Sequence, residues 1–540
     1  MPLSNPLRDM TPDVSSFETE WLAPVEVDGI SLRAFRITTA LLDDGPVRTY
    51  GVVGTPSGPG PYPAILHIHG GGGAADPASV AYYIKRGYAA MSFDWNGPNQ
   101  RSPDEPHTTY PPSAMTDADP FGFVSDGVLR SRFFLGARAA RCCLSLLSSL
   151  DTVESAHMAI YGISWGGFMT WMVNGSDPRV RCATAIYGTG GLYGERKWNG
   201  DFNAASEAGR TAWMRFVEPR SYIPFQHGAL LHINGANDFF GRIDLAAEML
   251  PALPVDWRCD YTPNANHAFD STSTALMDAW HDFHLKAGPA IPLAPPLKAV
   301  AAGESTVRVT SAGPSKNLTL WYSCGPAEFP FRCWKPTRKW KANSDGTLTI
   351  DLPVTGHTWL FVRETHPKRG FTISSAPLVL SMPHAKGRPQ KTVFSSKRRD
   401  GWGHQMTIDP QHAASLHEFV TIDHTGLAVN PSREGLSSEG LGRLVFFGLS
   451  DPDNRPGQKV RALEIELSGA ANLNILAHVH ISDIYTAKLE SPSDGCHLVP
   501  LESFRQGDKS LADFTRLTYM VLTGQARPGE SVRIKRLSWK

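Results

Sequence analysis

The sequence predicts a mostly parallel α/β sheet with helices on both faces, followed by two all-β sandwich domains. Three observations predict it. Between residues 47 and 285, short β-branched apolar runs alternate with helical stretches, the pattern of a parallel sheet covered by helices. At Gly288 to Pro296 the composition turns to Pro, Ala and Leu, and beyond it the strand-like runs alternate as in antiparallel sheets with one buried face. The length, 540 residues, is too great for one compact domain at about 150 residues per domain.

Residues 1–46 read as an N-terminal extension packing on the α/β domain, which spans 47–288. Tyr50 to Thr55 and Ala64 to His69 read as strands, the second ending in Gly70 to Gly73; Ala81 to Arg86 is helix-like and Tyr88 to Phe93 is the next strand. Residues 129–150, rich in Ala, Leu and Arg, read as a long helix, and His157 to Ile163 as the strand after it. Strands follow at Cys182 to Tyr187, Ala229 to Asn234 and Val255 to Tyr261, then a closing helix at Ser273 to Lys286. Residues 297–383 read as a β-sandwich, with strands such as Leu318 to Ser323, Thr347 to Leu352 and Thr358 to Arg363. Its Trp321, Phe329, Phe331, Trp334 and Trp340 are more aromatic surface than so small a domain hides alone, so part of it is expected to pack on the α/β domain. Residues 384–399, with Lys386, Arg388, Lys391, Lys397, Arg398 and Arg399, read as a solvated linker rather than a basic binding patch. Residues 400–540 read as a second sandwich of jelly-roll type, with strands such as Ala462 to Leu467 and Leu473 to Ile481.

Charge and composition narrow the function. Lys+Arg and Asp+Glu both number 52, which leaves no net charge to hold a nucleic-acid backbone or an anionic membrane. Nowhere do 18 uncharged apolar residues run together, and Met1 to Phe17 has no apolar core, so neither a membrane span nor a secretory signal is expected and the cytoplasm is favoured. Seven cysteines, two of them the adjacent Cys142 and Cys143, do not suggest a disulfide framework; Cys324 and Cys333 are the one pair placed to bridge, across a hairpin. No Cys/His spacing suits a metal, and no cofactor is expected.

The chemistry is carried by Gly162-Ile163-Ser164-Trp165-Gly166, the one G-x-S-x-G in the chain. The string is short enough to arise by chance, but here it follows a strand and leads into a helix, the context in which a serine is held on a strained turn. A serine hydroxyl is a poor nucleophile until a base takes its proton, so the turn predicts an acid and a histidine further on. Asp238 ends the Leu231 to Asp238 strand and loop, and His267 follows the last strand in Pro263-Asn264-Ala265-Asn266-His267. Both fall at carboxyl ends of strands, on the edge that holds Ser164. Asp244, Asp260, Asp270, His227 and His232 are displaced from that edge. The run His67-Ile68-His69-Gly70-Gly71-Gly72-Gly73 lacks the Lys-Ser/Thr of a phosphate loop; it suits a turn whose N–H groups face a developing oxyanion. Gly71, Gly72 and the Trp165 N–H are the candidate oxyanion donors, and His67 and His69 read as packing or loop-positioning residues.

On these motifs residues 47–286 resemble the α/β-hydrolase fold, nearest to dienelactone-hydrolase-like and acetyl-xylan-esterase-like members, with some likeness to prolyl-oligopeptidase catalytic domains. The stretch from Asn234 through His267, followed by Leu320-Trp321-Tyr322-Ser323, is also similar to PhoPQ-activated pathogenicity-related proteins, although the surroundings of the serine depart from that pattern. Residues 400–540 resemble galactose-binding-like sandwiches. The resemblance implies a serine hydrolase of carboxylic esters, working through an acyl-enzyme with Ser164 as nucleophile, His267 as base and Asp238 as acid, on a small-molecule or oligosaccharide ester. Two other readings stay open. A prolyl-oligopeptidase-type peptidase normally carries its catalytic domain after a propeller, whereas only 46 residues precede this one. A non-catalytic binding protein on the same scaffold would be expected to have lost a member of the Ser, Asp, His set. Trp95, Tyr187, Trp198 and Phe239, near the inferred strand ends, are the candidate substrate contacts, and 96–127 and 189–222 the candidate lid segments.

Overall fold

A computed structural model describes residues 5–9, 12, 17–98, 105–114, 127–192, 202–238, 240–263, 265, 267–303, 306–324, 332, 334–354, 357–381, 392–395, 405–407, 442–446, 456–457, 459–468, 471–480, 483–490, 493–517, 519–526 and 533–540. The α/β domain is built from β1 (Ile30–Leu42), β2 (Gly45–Gly54), β3 (Tyr62–Ile68), α1 (Pro77–Lys85), β4 (Ala89–Phe93), α2 (Arg132–Ser148) and β5 (Val153–Ile163). It continues with α3 (Trp165–Asn174), β6 (Val180–Ile186), α4 (Glu207–Phe216), β7 (Ala229–Gly235), α5 (Ile243–Met249), β8 (Trp257–Thr262) and α6 (Ser271–Lys286). The strands lie in the order β1-β2-β4-β3-β5-β6-β7-β8, with β2 antiparallel to both neighbours and the rest parallel. This is the α/β-hydrolase sheet.

Strand periodicity sends alternate side chains into two cores, one on each face. On β3, Ala64, Leu66 and Ile68 enter one core and Ile65 the other; on β5, Met158 and Ile160 enter the first and Ala159 and Tyr161 the second. Sequestration on both faces is why these strands read as continuous apolar runs. Four of these six helices begin at side-chain caps. Asp76 accepts the N–H groups of Ala78 and Ser79 at 3.0 and 3.1 Å ahead of α1, which has Pro77 in its first turn.

The N-terminal stretch goes further than a packed extension. It supplies β1, which pairs with β2 along most of its length, and a short helix at Pro6–Asp9 whose buried Leu7 enters the first core. The carbonyl of Leu7 accepts a hydrogen bond from Arg141 Nη1 on α2.

The first sandwich shares its sheet with the α/β domain. At β8 the strand Phe371–Ser374 adds antiparallel, with Cys259 opposite Ser374, and the sheet continues through His357–His366 and Leu318–Cys324 to Lys335–Thr337. Apolar residues sit on both faces of this extension. Leu318, Leu320, Leu360 and Val362 face Val307, Val309, Leu348 and Ile350 of the opposing sheet, whereas Trp321, Trp334, Trp359 and Phe361 belong to the first core of the α/β domain. That opposing sheet runs Lys298–Gly303, Thr306–Ala312, Thr347–Pro353, Lys341–Ala342. Of the surplus aromatics, Trp321 and Trp334 pack into the α/β domain, Trp340 packs on the sandwich's own core, and Phe329 and Phe331 lie outside the described residues, as does Cys333.

The C-terminal region forms two antiparallel sheets, one ordered Thr392–Ser395, Arg533–Trp539, Ala462–Ser468, Gly495–Pro500. The other has seven strands, with Tyr519–Ala526, Ala471–His480 and Asp483–Leu489 in its middle. Their core is separate, with Leu463, Ile465, Leu473, Ile475, Phe504, Phe514 and Trp539. Part of the expected linker is therefore strand: Thr392–Ser395 pairs with Arg533–Trp539. Residues 382–391 and 396–404, which carry its basic cluster, lie outside the described residues. Among the described residues no helix is long and apolar enough to cross a membrane.

Candidate active site

The site is assembled where β3, β5, β6, β7 and β8 end. Ser164 follows β5 with φ +57° and ψ −120°, a conformation that costs a non-glycine residue free energy and persists only when its surroundings impose it. They do so by close approach. A Cβ on Gly162 would lie 2.1 Å from the Gly166 carbonyl oxygen, and a Cβ on Gly166 would lie 2.0 Å from that of Ile68. The two glycines of the motif thus let strand, turn and helix pass one another, while Ser164 N–H donates to Ile186 O at 2.8 Å and Phe168 N–H to Ser164 O at 2.9 Å. Ser164 itself is half-buried, at the amino end of α3.

Asp238 lies in the loop after β7, fully buried, and both of its carboxylate oxygens are hydrogen-bonded. Oδ1 accepts the N–H groups of Phe240 and Gly241 at 2.7 and 2.8 Å; Oδ2 accepts His267 Nδ1–H at 2.9 Å. With the proton on Nδ1, the basic lone pair of the imidazole is on Nε2. The loops that carry the pair are tied together: Ala236 N–H donates to Thr262 O and Asn237 N–H to Ala265 O. Tyr187, which follows β6 at φ +60°, lays its ring against His267 with centroids 4.3 Å apart, and Phe240 lies between Trp165 (4.5 Å) and His267 (6.3 Å). Burial, reinforced by the charge of Asp238, raises the Tyr187 phenol far above its ordinary range, so it stays protonated.

The glycine turn after β3 stands beside the serine. A Cβ on Gly70 would be 3.2 Å from Ser164 Cβ, and Gly71 faces the Trp165 ring. The turn is closed by Gly73 N–H to Gly70 O at 3.0 Å, and Gly72 takes φ +73°. His69 fixes it from behind: Nδ1–H donates to Gly70 O at 2.7 Å, and Nε2 accepts the Trp95 N–H at 3.1 Å. Trp95 is buried, stacked on His69 at 5.1 Å, and its indole N–H donates to His69 O at 2.8 Å; it braces the turn rather than presenting a face to a substrate. Asp94 accepts the N–H groups of Asn96, Gly97 and Thr108. Burial would raise its pKa, but the backbone N–H groups of Thr108 and Asn96 counter it and the carboxyl is held below its ordinary range. His67 is packing: it is stacked on Tyr161, bonded to Ser92 Oγ, and pushed down to about 4 by burial.

The other acids and histidines have other partners. Asp244 pairs with Arg242, Asp260 with Arg363, and Asp270 caps α6, while His232 lies buried against Tyr261 and is pushed down to about 4 by burial. The structure therefore brings Asp238 and His267 into contact and sets Ser164, Trp165, Gly71, Gly72 and Tyr187 around the same strand ends. Trp198 and Phe239 lie outside the described residues, as do 99–104, 115–126 and 193–201 of the two long connections. Trp213, on α4, is buried against Phe133 and Phe168. Among the described residues no three His, Cys, Asp or Glu side chains are grouped to hold a metal ion.

Residues 13–207, which include Ser164, match the family model of acetyl xylan esterase (AXE1). No curated protein matches the sequence. Among solved structures the chain is similar to acetyl xylan esterase from Paenibacillus sp. R4, with a TM-score of 0.41 and 17% identity over 53% of this chain and 100% of that one. It is similar to acetyl xylan esterase 1 from Thermoanaerobacterium sp. JW/SL YS485, with a TM-score of 0.39 and 14% identity over 52% and 98%. Pyrococcus horikoshii acylaminoacyl peptidase matches with a TM-score of 0.35 and 13% identity over 51% of this chain and 43% of that chain.

Proposed function

We propose that this α/β-hydrolase is a serine esterase that removes small acyl groups, acetyl foremost, from carbohydrate or other small alcohols. The observation that carries the reading is Ser164 held at positive φ on the strand-to-helix turn, at the same sheet edge as a carboxylate-bound histidine. Ser164 Oγ attacks the ester carbonyl while His267 Nε2 takes its proton. Asp238 keeps the imidazole in the Nδ1–H tautomer and stabilises the imidazolium that forms. The negative charge that develops on the carbonyl oxygen is met by the Trp165 N–H and by an N–H of the glycine turn. Gly73 N–H is already engaged within the turn, and Gly71 and Gly72 are the donors this reading assigns to it. His267 then returns the proton to the leaving alcohol, and water, activated by the same imidazole, hydrolyses the acyl-enzyme.

The acyl preference rests on the acetyl xylan esterase match across residues 13–207. A fluorophosphonate probe, followed by peptide mapping, should label Ser164, and the protein should release acetate from acetylated xylo-oligosaccharides as well as from p-nitrophenyl acetate. Labelling and p-nitrophenyl acetate hydrolysis without release from any acetylated sugar would overturn the carbohydrate part. An unlabelled Ser164 would overturn the enzyme reading in favour of a binding protein on the same scaffold.

A further inference from the structure

We propose that the first sandwich is part of the catalytic machinery, because its Trp334 and Arg363 position the loops that carry Asp238 and His267. The inference rests on the Ser164, Asp238, His267 reading and deepens it. Asn237 directly precedes Asp238. Its side chain donates to Arg332 O at 2.7 Å and accepts Trp334 Nε1–H at 2.8 Å, both from the sandwich, while its backbone N–H donates to Ala265 O, two residues before His267. One asparagine thus joins the acid loop, the histidine loop and the sandwich.

The second tie lies at the far end of the histidine loop. Arg363, on the His357–His366 strand, makes a bidentate pair with buried Asp260 of β8 at 2.9 and 2.8 Å, and its Nη1 reaches Asp270 Oδ2 at 2.8 Å. Asp260 also accepts the hydroxyls of Ser273, Thr372 and Ser374. Asp270 caps α6 through Thr272 and Ser273 N–H, and its own N–H donates to Thr262 Oγ1 at 3.1 Å. The loop between Thr262 and Asp270, with His267 inside it, is therefore closed at its base, and a guanidinium from the sandwich holds the closure. Such a group touches no substrate; it acts by fixing the Asp238–His267 geometry, where a displacement of about 1 Å can cost roughly 10²-fold in rate.

Trp334→Phe, which removes the indole donor and keeps an aromatic ring, and Arg363→Met test this in the full chain. The kcat on p-nitrophenyl acetate is expected to fall roughly 10- to 100-fold with KM little changed. Arg363→Lys is expected to fall between, because an ammonium keeps the charge but not the fork. Hydrogen exchange should quicken in peptides covering 236–241 and 263–270 and remain at the wild-type rate in β3 and β5. If Arg363→Met does not fold, because it strands buried Asp260, Trp334→Phe carries the test. Folded variants with wild-type kcat and wild-type exchange in both loops would overturn the inference. Ser164→Ala separates the two levels: if it abolishes turnover while Trp334→Phe and Arg363→Met do not affect it, only the positioning role falls, whereas an active Ser164→Ala removes the reading on which it rests.

Discussion

Ser164 shows what a side chain gains from backbone strain. Held at positive φ, it stands on the turn between β5 and α3, and the glycines on either side let strand, turn and helix pass one another. Ser164→Ala should leave the thermal transition intact and lower kcat on p-nitrophenyl acetate by about 10⁴-fold or more, because the remaining oxyanion donors give only a residual rate. Glu218 supplies a second prediction. It is fully buried; Oε1 accepts Gly191 and Arg220 N–H at 2.8 and 3.2 Å, and Oε2 meets no partner among the described residues. Burial pushes its carboxyl up from 4.5 to about 7, against those two donors. Since the folded-state pKa is the higher one, the stability that this carboxyl contributes is complete below about pH 4.5 and is lost as pH rises through about 7, a loss of at most about 3 kcal/mol. Glu218→Gln should therefore have a higher Tm than wild type at pH 8, and the advantage should vanish at pH 5; equal pH dependence of the two proteins would show that the carboxyl is solvated. The contact of Asp238 with His267 and the place of Ser164 on the strand-to-helix turn were legible because glycine spacing, strand ends and chain order restrict each to few positions. Trp95 was not, because an aromatic at a strand end looks the same from sequence whether it faces a ligand or stacks on a histidine.

The elements around the site follow local rules closely enough to be found from sequence. The helix expected over 129–150 is Arg132–Ser148, and the closing helix expected from Ser273 starts two residues earlier, where Asp270 caps it. β1 was harder to find. Its alternation, Leu32 and Ala34 toward one core and Phe35 and Ile37 toward the other, is interrupted by an irregularity between Thr38 and Ala40, so no single period of two runs through it. The crossing of β5, α3 and β3 gives a prediction at this scale. Gly166→Ala puts a methyl group 2.0 Å from a backbone oxygen in β3, which no rotamer change relieves. The variant should accumulate as insoluble protein or lose the cooperative thermal transition. A soluble Gly166→Ala with wild-type Tm would mean that α3 sits farther from the sheet.

The whole molecule is organised by a sheet that ignores the boundary its sequence announces. The Pro-rich break at 288–296 is real in composition, yet Cys259 and Ser374, 115 positions apart, pair across it, and no local pattern records a partner so distant. The surplus of aromatics was the legible trace: Trp321 and Trp334, with Trp359 and Phe361, bury on the α/β side, where each aromatic hides about 150–250 Å². Chains truncated at two points should then behave differently. One ending near Met382 keeps the shared sheet and should stay monodisperse and hydrolyse small esters, with any loss confined to larger carbohydrate substrates. One ending near Pro289 loses these aromatics, bares β8 and the apolar face they cover, and should aggregate. Size-exclusion chromatography with p-nitrophenyl acetate assays distinguishes them, and aggregation of the longer chain would make the C-terminal sandwich part of the structural core. The shared sheet also bears on self-association. The described sheet runs out at Glu20–Trp21 on one side and at Lys335–Thr337 on the other, strands of two and three residues, the latter carrying a lysine and a proline. Short strands, charge and proline are what keep a sheet from recruiting another chain. By pairing with β8 at Cys259, the sandwich covers part of a six-residue edge that could otherwise template a neighbouring copy.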